Sequence, residues 1–281
     1  MFDRILVAVD GTPSSFSAAL FGASVASRRG TIHLLCVTDR RSPPITGPLV
    51  REPSLEHRCE TALASAQAAL GGRALVAERR IVGGRALPAI LQMEDEIGAD
   101  LVCVGSGRSR LGIGSVSAAV VRESRAAVAL LREESFSIPR IERIAVGARR
   151  GPTALAAARR AFQLAAGTGA SLLLVSVVPD RLPSGPRDAT REDAASLLEE
   201  LGREAADGGL PPPESRLLVG DPAIELLHAA QSFQADVLVV GAGVSRPLRP
   251  MGRVAGHLAS TCTSPLLICR VPPGPEMSVA G

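Results

Sequence analysis

The apolar positions of this chain fall in short runs separated by helical stretches. Arg4 to Val9 is a continuous apolar strand, the pattern of a parallel strand covered on both faces. Further strands are predicted at Ile32 to Val37, around Leu75 to Val82, at Leu101 to Val104 and at Ala127 to Leu131. Between them the periodicity predicts helices over Pro13 to Ala26, Leu55 to Leu70, Leu87 to Ile97 and Ser115 to Arg125, with Ser115 as the N-cap of the last. Strand and helix alternate throughout, so the fold class is α/β, a layered parallel sheet with right-handed crossovers.

The pattern then repeats. Ala-Asp-Leu-Val-Cys-Val-Gly-Ser-Gly at 99–107 recurs as Ala-Asp-Val-Leu-Val-Val-Gly-Ala-Gly at 235–243. Arg4-Ile-Leu-Val-Ala-Val matches the stretch from Arg143, and Ala-Leu-Leu-Arg132 matches Leu-Ile-Cys-Arg270. Nearly equal offsets over the whole length mean two copies of one domain. The expected boundaries are 1–134 and 140–272, joined by a short charged connector that contains Pro139, with 273–281 as a disordered tail. Thr38 to Arg58 and Pro179 to Glu192 are Pro-rich and read as surface loops, the first a candidate lid; Pro211-Pro-Pro reads as a rigid spacer.

Composition narrows the chemistry. A chain of 281 residues with 46% hydrophobic content can bury two ordinary cores. No apolar run spans a bilayer and no signal peptide is recognisable, so no membrane association is expected. Cysteines at 36, 59, 103, 262 and 269 form no metal spacing, and three lie in apolar runs; the expectation is a cytoplasmic protein with reduced, buried thiols. There is no Lys and no Asn, so every positive charge is Arg, which removes Walker A and Schiff-base chemistry. A net charge of +3 and 2% aromatic content argue against nucleic acid. The histidines lack ligand spacing, Glu94-Asp95-Glu96 reads as a solvated helix end, Asp221-Pro222 as a helix start, and no catalytic constellation exists, so no enzyme and no metal site are expected.

One loop carries the candidate chemistry. After the fourth strand, glycines at 105, 107, 112 and 114 lead into a helix, a way to offer amides and a helix N-terminus to an anion. A dinucleotide fingerprint would follow the first strand instead, where Asp10-Gly-Thr-Pro stands.

Taken together, Arg-Ile-Leu-Val-Ala-Val-Asp-Gly-Thr at 4–12, Gly220-Asp-Pro-Ala, Ala-Asp plus Val-Gly in both halves, Gly114-Ser-Val-Ser and Ser264-Pro-Leu-Leu-Ile resemble the universal stress proteins in their tandem form, over essentially the whole chain. The resemblance implies two Rossmann-like domains of the adenine nucleotide alpha hydrolase type. Each would be a five-stranded parallel sheet with helices on both faces, and the fifth strands would pair as an intramolecular pseudo-dimer, with a homodimer of chains as a further option. It implies a stress-response regulator that binds ATP, with Mg, or no nucleotide.

On that resemblance Asp10 meets ribose or metal, the backbone of Val37 meets adenine, and Gly105, Gly107, Arg108, Gly114, Ser115 and Val116 hold phosphates. The sequence departs from the family's Gly-x2-Gly-x9-Gly-Ser/Thr pattern. The first-half loop is four residues shorter between its outer glycines; in the second half Arg253 replaces the hydroxyl residue and Arg149 stands in place of Asp10. The same residues admit a structural reading, with Gly105 as a strand exit, Gly112 and Gly114 as packing positions and Ser115 as a cap. The alternative function is a nucleotide-free interaction protein acting on a regulatory partner through its pseudo-dimer surface and loops.

Overall fold

A computed structural model of the chain describes residues 1–39, 54–71, 75–106, 113–133, 140–180, 187–242 and 252–271. The first half runs β1 (Phe2–Ala8), α1 (Pro13–Val25), β2 (Ala26–Thr38), α2 (Leu55–Leu70), β3 (Leu75–Gly83), α3 (Ala86–Ile97), β4 (Leu101–Gly105), α4 (Ser115–Glu123) and β5 (Ala127–Leu131). The second repeats it: β6 (Arg143–Gly147), α5 (Pro152–Thr168), β7 (Ser171–Val178), α6 (Arg187–Asp207), β8 (Glu214–Val219), α7 (Pro222–Ser232), β9 (Val237–Gly241), α8 (Arg253–Thr261) and β10 (Leu266–Cys269).

The halves fuse into one ten-stranded sheet of order β3-β2-β1-β4-β5-β10-β9-β6-β7-β8. Pairing is parallel within each half and antiparallel only where β5 meets β10. There Leu130 opposes Leu266, Ala129 opposes Leu267 and Val128 opposes Ile268. Ala129 and Leu267 are repeat equivalents, so the pseudo-two-fold axis passes through that pair.

Two cores result, as the composition allows, but they are divided by the sheet rather than by the repeat. One face gathers Ile5, Val7, Phe21 and Leu63 with Ile144, Phe162, Leu174 and Leu201. The other gathers Leu6, Val102 and Val120 with Leu173, Leu238 and Leu258. Each core crosses the seam, so neither half buries its apolar surface alone.

Inside each half, at the amino ends of β1 and β4 and of β6 and β9, the repeated Ala-Asp motif sets the register. The Asp100 carboxylate accepts from the amides of Asp3 (2.8 Å) and Arg4 (3.0 Å), and the Asp100 amide donates to the Arg4 carbonyl. Asp236 accepts in the same way from Glu142 and Arg143. Arg132 locks the seam, donating from Nε to the Cys262 carbonyl at 2.6 Å and from Nη2 to those of Ala259 and Ser260. A cation thereby satisfies carbonyls left open at the end of α8. Its repeat equivalent Arg270 is buried, and neither its Nε nor its Nη1 has a hydrogen-bond partner. Burial lowers the affinity of that guanidinium for its proton, and Glu94 opposes the effect.

Several sequence expectations shift. β2 begins at Ala26, directly after α1, because Ser27 and Thr31 bond to Asp3 and Gly30 lets the strand lie over the Phe2 carbonyl, 2.8 Å from where a Cβ would sit. α4 ends at Glu123, and its N-cap is Gly114 rather than Ser115, which is the first helical residue. The early end of α4 has a cause in the acidic run: Glu94 is buried, not solvated, and its Oε1 accepts from the amides of Arg125 (2.7 Å) and Ala126 (2.8 Å). α6 starts at Arg187, inside the stretch read as a loop. Of the candidate lid, Thr38 to Arg58, residues 40–53 lie outside the described residues, as do most of the connector and the tail, and Leu55 to Arg58 form the first turn of α2.

Cysteine usage is also corrected. Cys36 and Cys59 form a disulfide, while Cys103, Cys262 and Cys269 are free and buried. The crossover from β2 into α2 brings together two residues 23 apart, a proximity that spacing in the sequence does not reveal.

Two measurements test this frame. Replacing Arg132 by Met, which keeps the length and removes the donors, is expected to cost about 2 kcal/mol in chemical denaturation. A Cβ at Gly241 would sit 2.3 Å from the Thr153 carbonyl oxygen, whereas none is met within 4 Å at Gly202 inside α6. Gly241→Ala is therefore expected to destabilise by about 3 kcal/mol and Gly202→Ala to stabilise by about 0.5–1 kcal/mol.

Candidate functional site

The sheet order places a switch point in each half, between β1 and β4 and between β6 and β9, where successive crossovers leave in opposite directions. Open α/β sheets form ligand crevices there, beyond the carboxyl ends of the strands.

In the second half that crevice is a cleft of about 690 Å³. Its floor is Gly147, Ala148 and Val240 to Ala242; its walls are the start of α5, the end of β7, the flank of α6 and the first residues of α8. A neighbouring hollow of about 640 Å³ shares Pro179, Pro222, Arg253 and Val254 with it and adds Asp180, Asp221 and His257. Neither α5 nor α8 has a side-chain cap, and both follow a glycine, Gly151 and Gly252. α7 differs: Asp221 caps it by accepting from Ala223 (2.9 Å) and Ile224, with Pro222 at the first position, the helix start expected from the sequence.

Charge at this cleft is unevenly free. Arg150 is strapped to α6 by Asp193 (2.5 Å) and by a two-pronged contact with Glu200 (2.8 and 3.0 Å), and those hydrogen bonds raise its proton affinity. Arg149 and Arg253, exposed in the cleft wall, are the residues that depart from the family pattern. Arg246 and Arg249 lie outside the described residues.

In the first half the sequence-predicted residues divide. Asp10 sits exposed at the end of β1; its Oδ1 accepts from the Thr12 amide (3.0 Å) and hydroxyl (2.6 Å), and Thr12 in turn caps α1 ahead of Pro13. Its second oxygen has no hydrogen bond to a described residue. Val37 is half-buried near the end of β2, its side chain packed on the same apolar face as Ile113 and Leu87, and its carbonyl accepts from the Asp39 amide.

Gly105 serves packing. A Cβ there would lie 2.5 Å from Ser14 Oγ and 2.9 Å from the Ser15 amide nitrogen, so its absence lets the start of α1 approach β4. The Gly105 carbonyl accepts from Ser117 Oγ at 2.5 Å. Gly114 turns its amide inward to the Ser106 carbonyl at 2.6 Å. Ser115 and Val116 are exposed at the uncapped start of α4. Gly107 and Arg108 lie outside the described residues. The structure thus brings Asp10, Gly105, Gly114, Ser115 and Val116 to one edge, since β1 neighbours β4, with Val37 one strand further on.

Sequence reasoning missed Thr12 and Ser14 as parts of this edge, although Thr-Pro before a helix is a capping signal. It also missed the disulfide beside Val37, for which no signal exists. Among the described residues no group of three His, Cys, Asp or Glu side chains could hold a metal, and no helix is long and apolar enough to cross a membrane.

Comparison with known proteins agrees with this geometry. The universal stress protein family model matches residues 1–132 and again 140–270. Universal stress protein Rv2005c of Mycobacterium tuberculosis (strain ATCC 25618 / H37Rv) is 27% identical over 288 residues, covering 95% of this chain and 96% of that protein. Rv1996 of the same organism is 26% identical over 316 residues, covering 97% and 96%. Among solved structures, a universal stress protein from Archaeoglobus fulgidus DSM 4304 matches with a TM-score of 0.71 at 16% identity, over 95% of this chain and 98% of that one. The functionally unknown protein PA1789 from Pseudomonas aeruginosa PAO1 matches at 0.68 and 16%, over 96% and 92%. These structural likenesses carry the fold. With the family pattern matched twice, end to end, on a sheet joined through its fifth strands, the chain belongs to the universal stress protein family in its tandem two-domain form.

Proposed function

We propose that this protein is a non-catalytic, cytoplasmic stress-response regulator that takes an adenine nucleotide, ATP with Mg, at the first-half switch point. The observation that carries this reading is the juxtaposition there of the exposed Asp10 carboxylate and the uncapped start of α4. An acceptor with a spare oxygen suits a ribose hydroxyl or a hydrated cation, and open amides at a positive helix end suit phosphate.

The residues fit such a ligand in part. Asp10 keeps one oxygen and Ser115 and Val116 face solvent, while Val37 lies one strand further on near the end of β2, its carbonyl already accepting from the Asp39 amide. The Gly114 amide is already used, so the phosphates would be held by the helix start rather than by a loop wrapped round them. ATP would supply a charged, conformation-biasing occupant; the chain's own groups would orient it. The second half reads differently, because Arg149 and Arg253 replace the acceptor and the small hydroxyl. A nucleotide-free interaction protein is the second reading, and the inward-turned Gly114 amide is the observation that favours it.

Purified full-length protein in millimolar MgATP is expected to melt about 3–6 °C higher than without it, and heat to release adenine nucleotide. Asp10→Asn, which keeps the Thr12 contact and removes the charge, is expected to weaken binding about tenfold. Ser115→Asp suits a helix start but repels phosphate, so it is expected to abolish the shift while leaving the unliganded melting temperature unchanged or higher. No shift and no released nucleotide from the wild-type chain would overturn the nucleotide reading and leave the second one.

A further inference from the structure

The two halves provide an internal comparison, and one feature stands out as something the fold does not require. Cys36 on β2 and Cys59 on α2 are joined, their Cα atoms 5.5 Å apart and both side chains buried. In the second half the equivalents are Ser176 and Ala194. Strand register fixes the first, since Leu34 opposes Val7 as Leu174 opposes Val146. The helix pattern fixes the second: α2 buries Cys59, Ala62, Leu63, Ala66 and Leu70, and α6 buries Ala194, Leu197, Leu198, Leu201 and Ala205 with the same spacing. The second half therefore packs the same helix on the same strand with no cross-link.

Ser176 and Ala194 also line the 690 Å³ cleft. The cysteines thus occupy, in the first half, the positions that form the wall of a ligand-sized hollow in the second. One turn beyond Cys59, Ala62 lies over the β1–α1 loop: a Cβ on Gly11 would be 3.5 Å from the Ala62 methyl. That loop carries Asp10.

We propose that Cys36 and Cys59 form a reversible thiol–disulfide switch beside the first-half switch point, oxidation pinning α2 to β2 over the Asp10 loop and holding that loop in the arrangement in which Asp10 faces the ligand. The effect on a ligand rests on the nucleotide reading above; the switch itself does not. In a reducing cytoplasm a disulfide is characteristically transient and redox-sensing rather than structural. Cys59 stands in the second turn of α2 among exposed Glu56, His57 and Glu60, so fraying of the helix start admits a small oxidant.

With a hydroperoxide as oxidant, one thiolate attacks the peroxide oxygen, the O–O bond breaks, and a sulfenic acid forms with release of an alcohol or water. The second thiolate then attacks that sulfur, the S–S bond forms and water leaves, so two electrons pass from the thiols to the peroxide. An external dithiol reverses the step by exchange and becomes a disulfide itself. The other cysteines are poor participants: burial pushes the Cys262 thiol up to about 11 and the Cys269 thiol up to about 12, and raises that of Cys103 too.

The test treats the folded full-length chain with hydrogen peroxide, then with dithiothreitol, and alkylates it after denaturation. Mass spectrometry is expected to find three alkylated cysteines and a linked 36–59 peptide after oxidation, and all five alkylated after reduction. Hydrogen exchange over residues 9–12 and 55–62 is expected to slow about tenfold on oxidation, and MgATP affinity to rise about tenfold as the Asp10 loop is pre-organised. The double variant Cys36→Ser with Cys59→Ala installs the second half's own residues; it is expected to fold, to bind like the reduced chain and to ignore peroxide. Thiols that stay unpaired in peroxide, a bond that dithiothreitol fails to open in the folded chain, or equal exchange and equal affinity in both states would each overturn the switch. If neither redox state nor the variant binds MgATP, the nucleotide reading falls, and the exchange contrast alone decides: its presence supports the switch and its absence overturns it.

Discussion

The antiparallel pairing of β5 with β10 is the constraint on which the rest of the molecule depends. Three residue pairs centred on Ala129 and Leu267 turn two five-stranded sheets into one, and both apolar cores then run across the seam. A five-stranded parallel sheet that ended at β5 would expose a flat apolar edge, a template for unwanted pairing. Here each copy covers the other's edge, and Arg132 fastens the arrangement by satisfying the last carbonyls of α8. The symmetry is topological rather than chemical, since Arg270, at the matching position, is buried with two nitrogens unbonded.

That imperfect symmetry runs through the functional edge as well. The frame is held alike in both halves: Asp100 and Asp236 fix the strand starts, and Gly105 and Gly241 admit the starts of α1 and α5 to β4 and β9. The residues that would meet a ligand have diverged, with Asp10 against Arg149, Ser115 against Arg253, and a disulfide against Ser176 and Ala194. Divergence is concentrated where side chains face the crevice, and the positions that position the backbone are kept.

How much of this was legible in the sequence follows from the range of the interactions involved. Continuous apolar runs and helical periodicity are local signals, so β1, β4, β5 and the first-half helices can be read directly; the repeat exposes the tandem architecture, and the pairing of the fifth strands follows only from the family resemblance. Glu94 illustrates the limit. Three acidic residues in a row look solvated, yet Glu94 is drawn inside because two amides 31 and 32 residues away need an acceptor. Cys36 and Cys59 meet only once a crossover has folded, and no spacing rule anticipates that. Gly105 is ambiguous for a different reason: a phosphate approaching the backbone and a helix approaching a strand both demand the absence of a side chain, so sequence alone does not separate them.

Opposite strand polarity across the seam has one further outcome. Because every strand of one half runs against those of the other, the carboxyl ends of the two sheets, and with them the Asp10 edge and the Arg149 cleft, look out from opposite rims of the slab. No single small molecule can touch both. Any influence of one rim on the other would have to cross the β5–β10 seam that joins the two halves of the sheet.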